Sequence, residues 1–184
     1  MTAARRRWAA ELLHFWFHTL EPADWFRSSP VIDDELRRRF AHDWAMLRGR
    51  PAREFLDDPL TARAAVLLFD QIPRNIHRGS PLAFATDPLA RAITNGIMQR
   101  GWDKRLKGAE RQFIALPLMH SEAIRDQRLS LAYFARLGPR YGWPFARSHY
   151  RMIARFGRFP HRNAVLGRAT APAEKRAVEA GFHW

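Results

Sequence analysis

Cysteine is absent from this chain, which excludes disulfides, thiol nucleophiles, cysteine-ligated zinc and iron–sulfur clusters. Lysine is nearly absent too, with 3 residues against 28 arginines. The longest strictly apolar stretch, Ala64–Phe69, is only about a third of a membrane span. Phosphate-cradling glycine loops, a nucleophile elbow and a dinucleotide-binding turn are all missing, so no ready-made enzyme signature is present. The period-two alternation of half-buried strands occurs almost nowhere. The basic block Arg5–Arg7 precedes an apolar stretch that Glu11 and His14 interrupt, which is no signal-peptide core. The chain therefore reads as a soluble cytoplasmic protein with neither a membrane partner nor a cofactor.

What is present is an ordinary globular composition. The 184 residues, 47% apolar and 12% aromatic, suffice for one domain over residues 1–184 whose core needs no metal or disulfide. The net charge of +13 predicts weak, salt-sensitive adsorption to polyanions. Specific nucleic-acid binding is not expected, because the arginines are spread along the chain and the aromatics fall on core stripes. Arginine is preferred over lysine where planar, bidentate contacts to carboxylate or phosphate are made. The codon bias of a GC-rich genome accounts for the same excess.

Helical periodicity recurs throughout. Trp8, Leu12 and Phe15 share a face of a first helix closing near Phe17. Asp33 is expected to cap a second, with the stripe Leu36, Phe40, Trp44, Leu47. Asp58-Pro59 and Asp87-Pro88 read as N-cap and N1 pairs, opening helices through Ile72 and to Gly101. Further helices are expected over Leu118–Leu137, Ser148–Phe156, a short stretch from Pro160 to Gly167, and Pro172–Gly181. Seven or eight such helices joined by Gly/Pro turns make an all-α domain, a bundle or helical repeat. One short echo stands out. Pro73-Arg74-Asn75 with Gly79 and Ser80 is answered by Pro160-His161-Arg162-Asn163 with Gly167 and Thr170.

Polar residues on apolar helix faces are the candidates for function. His120 and Gln127 fall with Ile124, Leu131 and Phe134, while His149 shares a face with Met152, Ile153 and Phe156. Gln71 extends an apolar stripe. Such groups either bond one another at helix crossings or line a polar pocket between helices. Asp70 and Arg74 stand at i, i+4 across Pro73, where the helix is expected to kink or end. Around Pro160, Arg158, His161, Arg162 and Asn163 form either a carbonyl-capping corner or an anion clamp. His120 and Glu122 cannot share a metal from one continuous helix. A zinc triad of His120, His149 and His161 has no local ligand spacing, so no metal is expected.

Phe15-Trp16-Phe17, Leu68–Asn75, Arg78-Gly79, Ala83–Asp87, Leu116–Glu122, Gln127, Arg155–Asn163 and Leu166-Gly167-Arg168 closely resemble the bacterial DUF924 family, in order and spacing, over nearly the whole chain. The resemblance implies an all-helical, tetratricopeptide-like superhelix and no established activity. Two positions depart from the family pattern. Met119 stands where an acid usually precedes His-Ser-Glu, and Ala171 where a threonine usually precedes Pro172.

The reading that results is a binding module whose interior holds an anionic small molecule or acidic peptide. Its contacts are Asp70, Gln71, Arg74, Asn75, Arg78, Gln127, His149, Arg158, Arg162, Asn163 and Arg168. Arg158 is taken as the functional arginine and Asn163 as structural. The alternative is a hydrolase using His120 or His161 as acid/base, with Glu122 as orienter.

Overall fold

The computed structural model describes residues 3–182, without the side chains of residues 3–6, so the expected basic block at Arg5 and Arg6 lies outside the described residues. Every regular element among them is helical. The chain forms two compact units. The first runs to Arg78 and includes Leu82–Arg105; the second takes Gly79–Pro81 and everything from Leu106 onward.

Unit 1 contains α1 (Ala3–His14), α2 (Pro30–Leu47), α3 (Pro59–Val66), α4 (Ile72–Ile76) and α5 (Asp87–Gln99). Helix α1 runs into a π-helical turn, Phe15–Thr19, and so passes the expected end near Phe17. A second π turn, Leu67–Gln71, joins α3 to α4 without a break. Counting 59–76 as one helix, the described residues hold eight, excluding short 3-10 turns. Leu12, Trp16, Leu36, Phe40, Leu68 and Phe69 fill the core, where α2 packs on α4, and α3 on both α1 and α5.

The proline at position 73 does not end its helix. It lacks the N–H that would serve the Phe69 carbonyl in an α register. The Thr86 hydroxyl donates to that carbonyl at 2.7 Å and accepts from the Trp44 indole N–H at 3.2 Å. A buried relay thus replaces one backbone bond.

Unit 2 contains α6 (Gly108–Met119), α7 (Ile124–Leu137), α8 (Trp143–Phe156) and α9 (Pro172–Glu179). Here α7 packs against both α6 and α8. Phe113, Phe134 and Phe159 are its large fully buried side chains.

Several expected boundaries are corrected. The cap of α2 is Ser29, whose hydroxyl accepts from Ile32, and Asp33 is buried inside the helix. Asp58 caps α3 as expected, with Pro59 at N1, but Thr86 rather than Asp87 precedes α5. Helix α6 has no counterpart in the sequence reading, because Pro117 near its end disguises it. The single helix expected over 118–137 is two, broken at His120–Ala123. There the Ser121 hydroxyl accepts from the Ala123 amide and donates to Asp126, and the Gln127 amide group donates to the carbonyls of Met119 and Ser121, both at 2.6 Å. Helix α8 begins at Trp143, not Ser148, and the stretch after Pro160 is a 3-10 turn ending at Arg162.

Helix α9 starts with half a capping box. Glu174 accepts from the Ala171 amide at 2.8 Å, but alanine offers no oxygen in return. Ala171→Thr should therefore stabilise the protein by about 1 kcal/mol in urea unfolding, and an unchanged midpoint would disprove the missing cap.

Candidate functional site

Two polar clusters form, one in each unit, and each gathers residues the sequence singled out. In unit 1 the π turn turns both Asp70 and Gln71 into the interior. Arg74 reaches Asp70 at 3.3 Å and Asp87 at 2.9 Å, so its guanidinium is shared by two carboxylates. It also donates to the Asp70 carbonyl. Asn75 donates to the Gln71 carbonyl at 3.0 Å. Arg78 grips Asp33 through two bonds of 3.1 Å and touches Asn75. The arginines here meet the protein's own acids, and the cluster carries no excess positive charge.

Unit 2 is different. Glu122 accepts two bonds from Arg168, at 2.7 and 3.0 Å, and one from the Phe159 amide at 2.8 Å. Burial pushes its carboxyl upward, but Arg168 and the Phe159 amide outweigh this and hold it below the ordinary value. Glu174 likewise accepts from Arg158 at 2.6 and 2.9 Å. Those bonds, with the Ala171 amide, lower its pKa to about 2. Arg158 and Arg168 also donate to the carbonyls of Ala169 and Phe159. Asn163, fully buried, donates to Thr170 and Glu174 at 3.3 Å.

Phe159 is the hub of the remaining groups. The ring of His149 meets it edge-on at 5.3 Å, His161 lies tilted at 5.6 Å, and the Arg162 guanidinium sits 4.5 Å above its face. His120 stands 6.2 Å from His149. The nitrogen of His149 facing the Phe145 carbonyl, 2.9 Å away, must carry the proton, because a carbonyl only accepts. Burial first, then His120, Arg162 and His161, push the His149 pKa down to about 3. His149 is therefore neutral at pH 7, with Nε2 left as an acceptor.

The sequence reading placed His120 on a face of α7; it lies in the turn before that helix and reaches His149 from there. Gln127 is fully buried and clamps that turn. Among the described residues no group of three or more His, Asp or Glu has a metal-holding arrangement, and the triad His120, His149, His161 is no exception. No helix among them is long and apolar enough to cross a membrane.

The two halves of the internal echo share a glycine turn but differ in what their asparagines bond, Asn75 meeting the Gln71 carbonyl and Asn163 meeting Thr170 and Glu174. Gly79 (φ 78°) and Gly167 (φ 64°) each lie four residues beyond the asparagine, in the left-handed region that favours glycine. What sequence reasoning missed is the stacking of arginines on aromatic rings, as at Arg48 on Trp44, Arg39 on Phe15 and Arg147 on Trp143. Arginine stacks in this way better than lysine.

Comparison with known proteins gives two findings. The model of the family described as bacterial protein of unknown function (DUF924) matches residues 12–181. A solved structure of a protein of unknown function from Agrobacterium tumefaciens is similar at 35% identity and a TM-score of 0.90, covering 98% of this chain and 100% of that one. No curated protein matches.

Proposed function

The chain belongs to the DUF924 family, and from that premise we propose that it is a binding protein whose unit 2 takes a small anion, a carboxylate or phosphate, at His120, His149, His161 and Arg162. One observation carries the reading: His149, His161 and Arg162 surround Phe159, with His120 beside His149, while the neighbouring carboxylates Glu122 and Glu174 are committed to Arg168 and Arg158. Arg162 supplies the positive charge at pH 7, and an anion entering this partly buried site favours protonation of the imidazoles beside it. Arg158, Arg168 and Asn163 then act as the frame of the site rather than as its contacts.

The hydrolase alternative needs Glu122 to orient a histidine. Both of its oxygens already accept from Arg168, and its lowered pKa leaves it a weak base at neutral pH. The geometry favours binding.

Thermal unfolding with phosphate or citrate, against chloride at equal ionic strength, tests the proposal. At 100 times its Kd an anion adds about 2.7 kcal/mol, a shift of a few degrees or more in Tm. The shift should disappear in Arg162→Gln and grow as the pH falls towards 6, since the bound anion favours protonated imidazole. Equal Tm in chloride and in every polyvalent anion tried would dispose of the site.

A further inference from the structure

His14 and His18 stand at i, i+4 where α1 passes into the π turn Phe15–Thr19. Both side chains are exposed, while Phe15 and Trp16 between them are buried. Their rings are stacked, with centroids 5.6 Å apart and planes 23° from parallel. Residues four apart on an α-helix are offset by about 40° around its axis. A π turn winds more residues into each turn and brings such a pair closer to eclipse. Glu11 lies three residues before His14 on the same exposed side, and its pair with Arg39 is long, at 3.4 Å. The other close histidine pair, His120 and His149 at 6.2 Å, suits a cation poorly. There His149 is buried, and Arg162 and His161 disfavour further positive charge on it.

We propose that His14 and His18 form a two-imidazole clip for a late first-row divalent cation, copper(II) before nickel(II) and zinc(II). An imidazole nitrogen sits about 2.0–2.1 Å from such an ion, so two rings sharing one have centroids about 5 Å apart. The observed 5.6 Å lies within a small side-chain movement of that value. Each ring must turn to aim a nitrogen at the ion, and the torsion that turns an imidazole is broad. Imidazole ligands select these metals over magnesium and calcium, and the order among them is that of intrinsic affinity. Among the described residues no third His, Asp or Glu completes the set, so water takes the remaining positions. Glu11 adds negative charge one turn away. The clip lies wholly in unit 1 and does not depend on the anion site of unit 2.

The test is isothermal titration calorimetry of the full, untagged chain with copper(II), delivered as its glycine complex at neutral pH. One tight equivalent should bind. Its affinity should fall by about tenfold or more in His14→Asn and in His18→Asn, because each removes one arm of a chelate. His42→Asn, which leaves both arms in place, should keep the parental affinity. Nickel(II) and zinc(II) should occupy the same site more weakly. Both clip positions are exposed, and circular dichroism verifies that the variants are folded. Unchanged affinity in either clip variant would overturn the proposal, as would the lack of a stoichiometric copper site in the parent protein. A loss in His120→Asn as large as that in His18→Asn would place the ion in unit 2 and overturn it as well.

Discussion

Thr86→Val should cost the protein roughly 2–6 kcal/mol, although valine has almost the same shape as threonine. The hydroxyl is buried between two polar groups that have given up water for it, the Trp44 indole N–H and the Phe69 carbonyl. Removing it strands a donor and an acceptor, each at about 1–3 kcal/mol. Thr86→Ser keeps the oxygen and should retain most of the stability. Urea unfolding of the pair measures this directly. A valine variant as stable as the serine one would show that Phe69 and Trp44 do not depend on the relay.

Mild acid should have an effect of similar size, in unit 2. His149 titrates near 6.5 when exposed and near 3 when folded. Between those values the unfolded chain binds a proton that the folded chain refuses, so stability falls as pH drops through the window. The full loss is on the order of 5 kcal/mol. Glu174, with an ordinary value of 4.5 and a folded value of about 2, loses its contribution at lower pH, as acid protonates it. The decline between pH 6.5 and 4.5 therefore reports on His149 and, in unit 1, on His77, which burial also pushes down. His120, His161 and Arg162 supply the positive field, and the Phe145 carbonyl partly opposes it. Unfolding midpoints in chloride buffer at pH 7, 6, 5 and 4 should fall steeply, and His149→Asn should flatten the upper part of the curve. A wild-type profile already flat over that range would mean the ring is protonated in the fold.

The helical class, the cap at Asp58 and the Gly-terminated corners were legible because each depends on neighbours within one turn. The clamps were not. Glu122 meets Arg168 across 46 positions and Asp33 meets Arg78 across 45, separations over which a sequence pattern carries no pairing signal. The break at His120–Ala123 escaped for a related reason. It contains neither glycine nor proline, and is held by Gln127 reaching back to carbonyls of the preceding turn. A serine five residues before an aspartate, as Ser121 and Asp126 stand, was the available local hint. Bringing His149 and His161 onto Phe159, and His120 beside His149, required the fold itself. The sequence named the three histidines as candidates, but the residue on which two of them meet is a phenylalanine that carries no chemistry of its own.

The π turn at Leu67–Gln71 has a consequence for how the length of such a chain changes over generations. A π turn holds one residue more than the α turn it replaces, so it is in effect an insertion absorbed inside a helix. Gains and losses of residues are ordinarily confined to surface loops. Here one can occur in the buried middle of a helix, because the segments before and after it keep their original faces. A relative shorter by one residue in this region should be aligned with its gap at 67–71. Moving that gap into the loop before Pro59 would shift the intervening positions by about 100° and bring core residues into correspondence with surface ones.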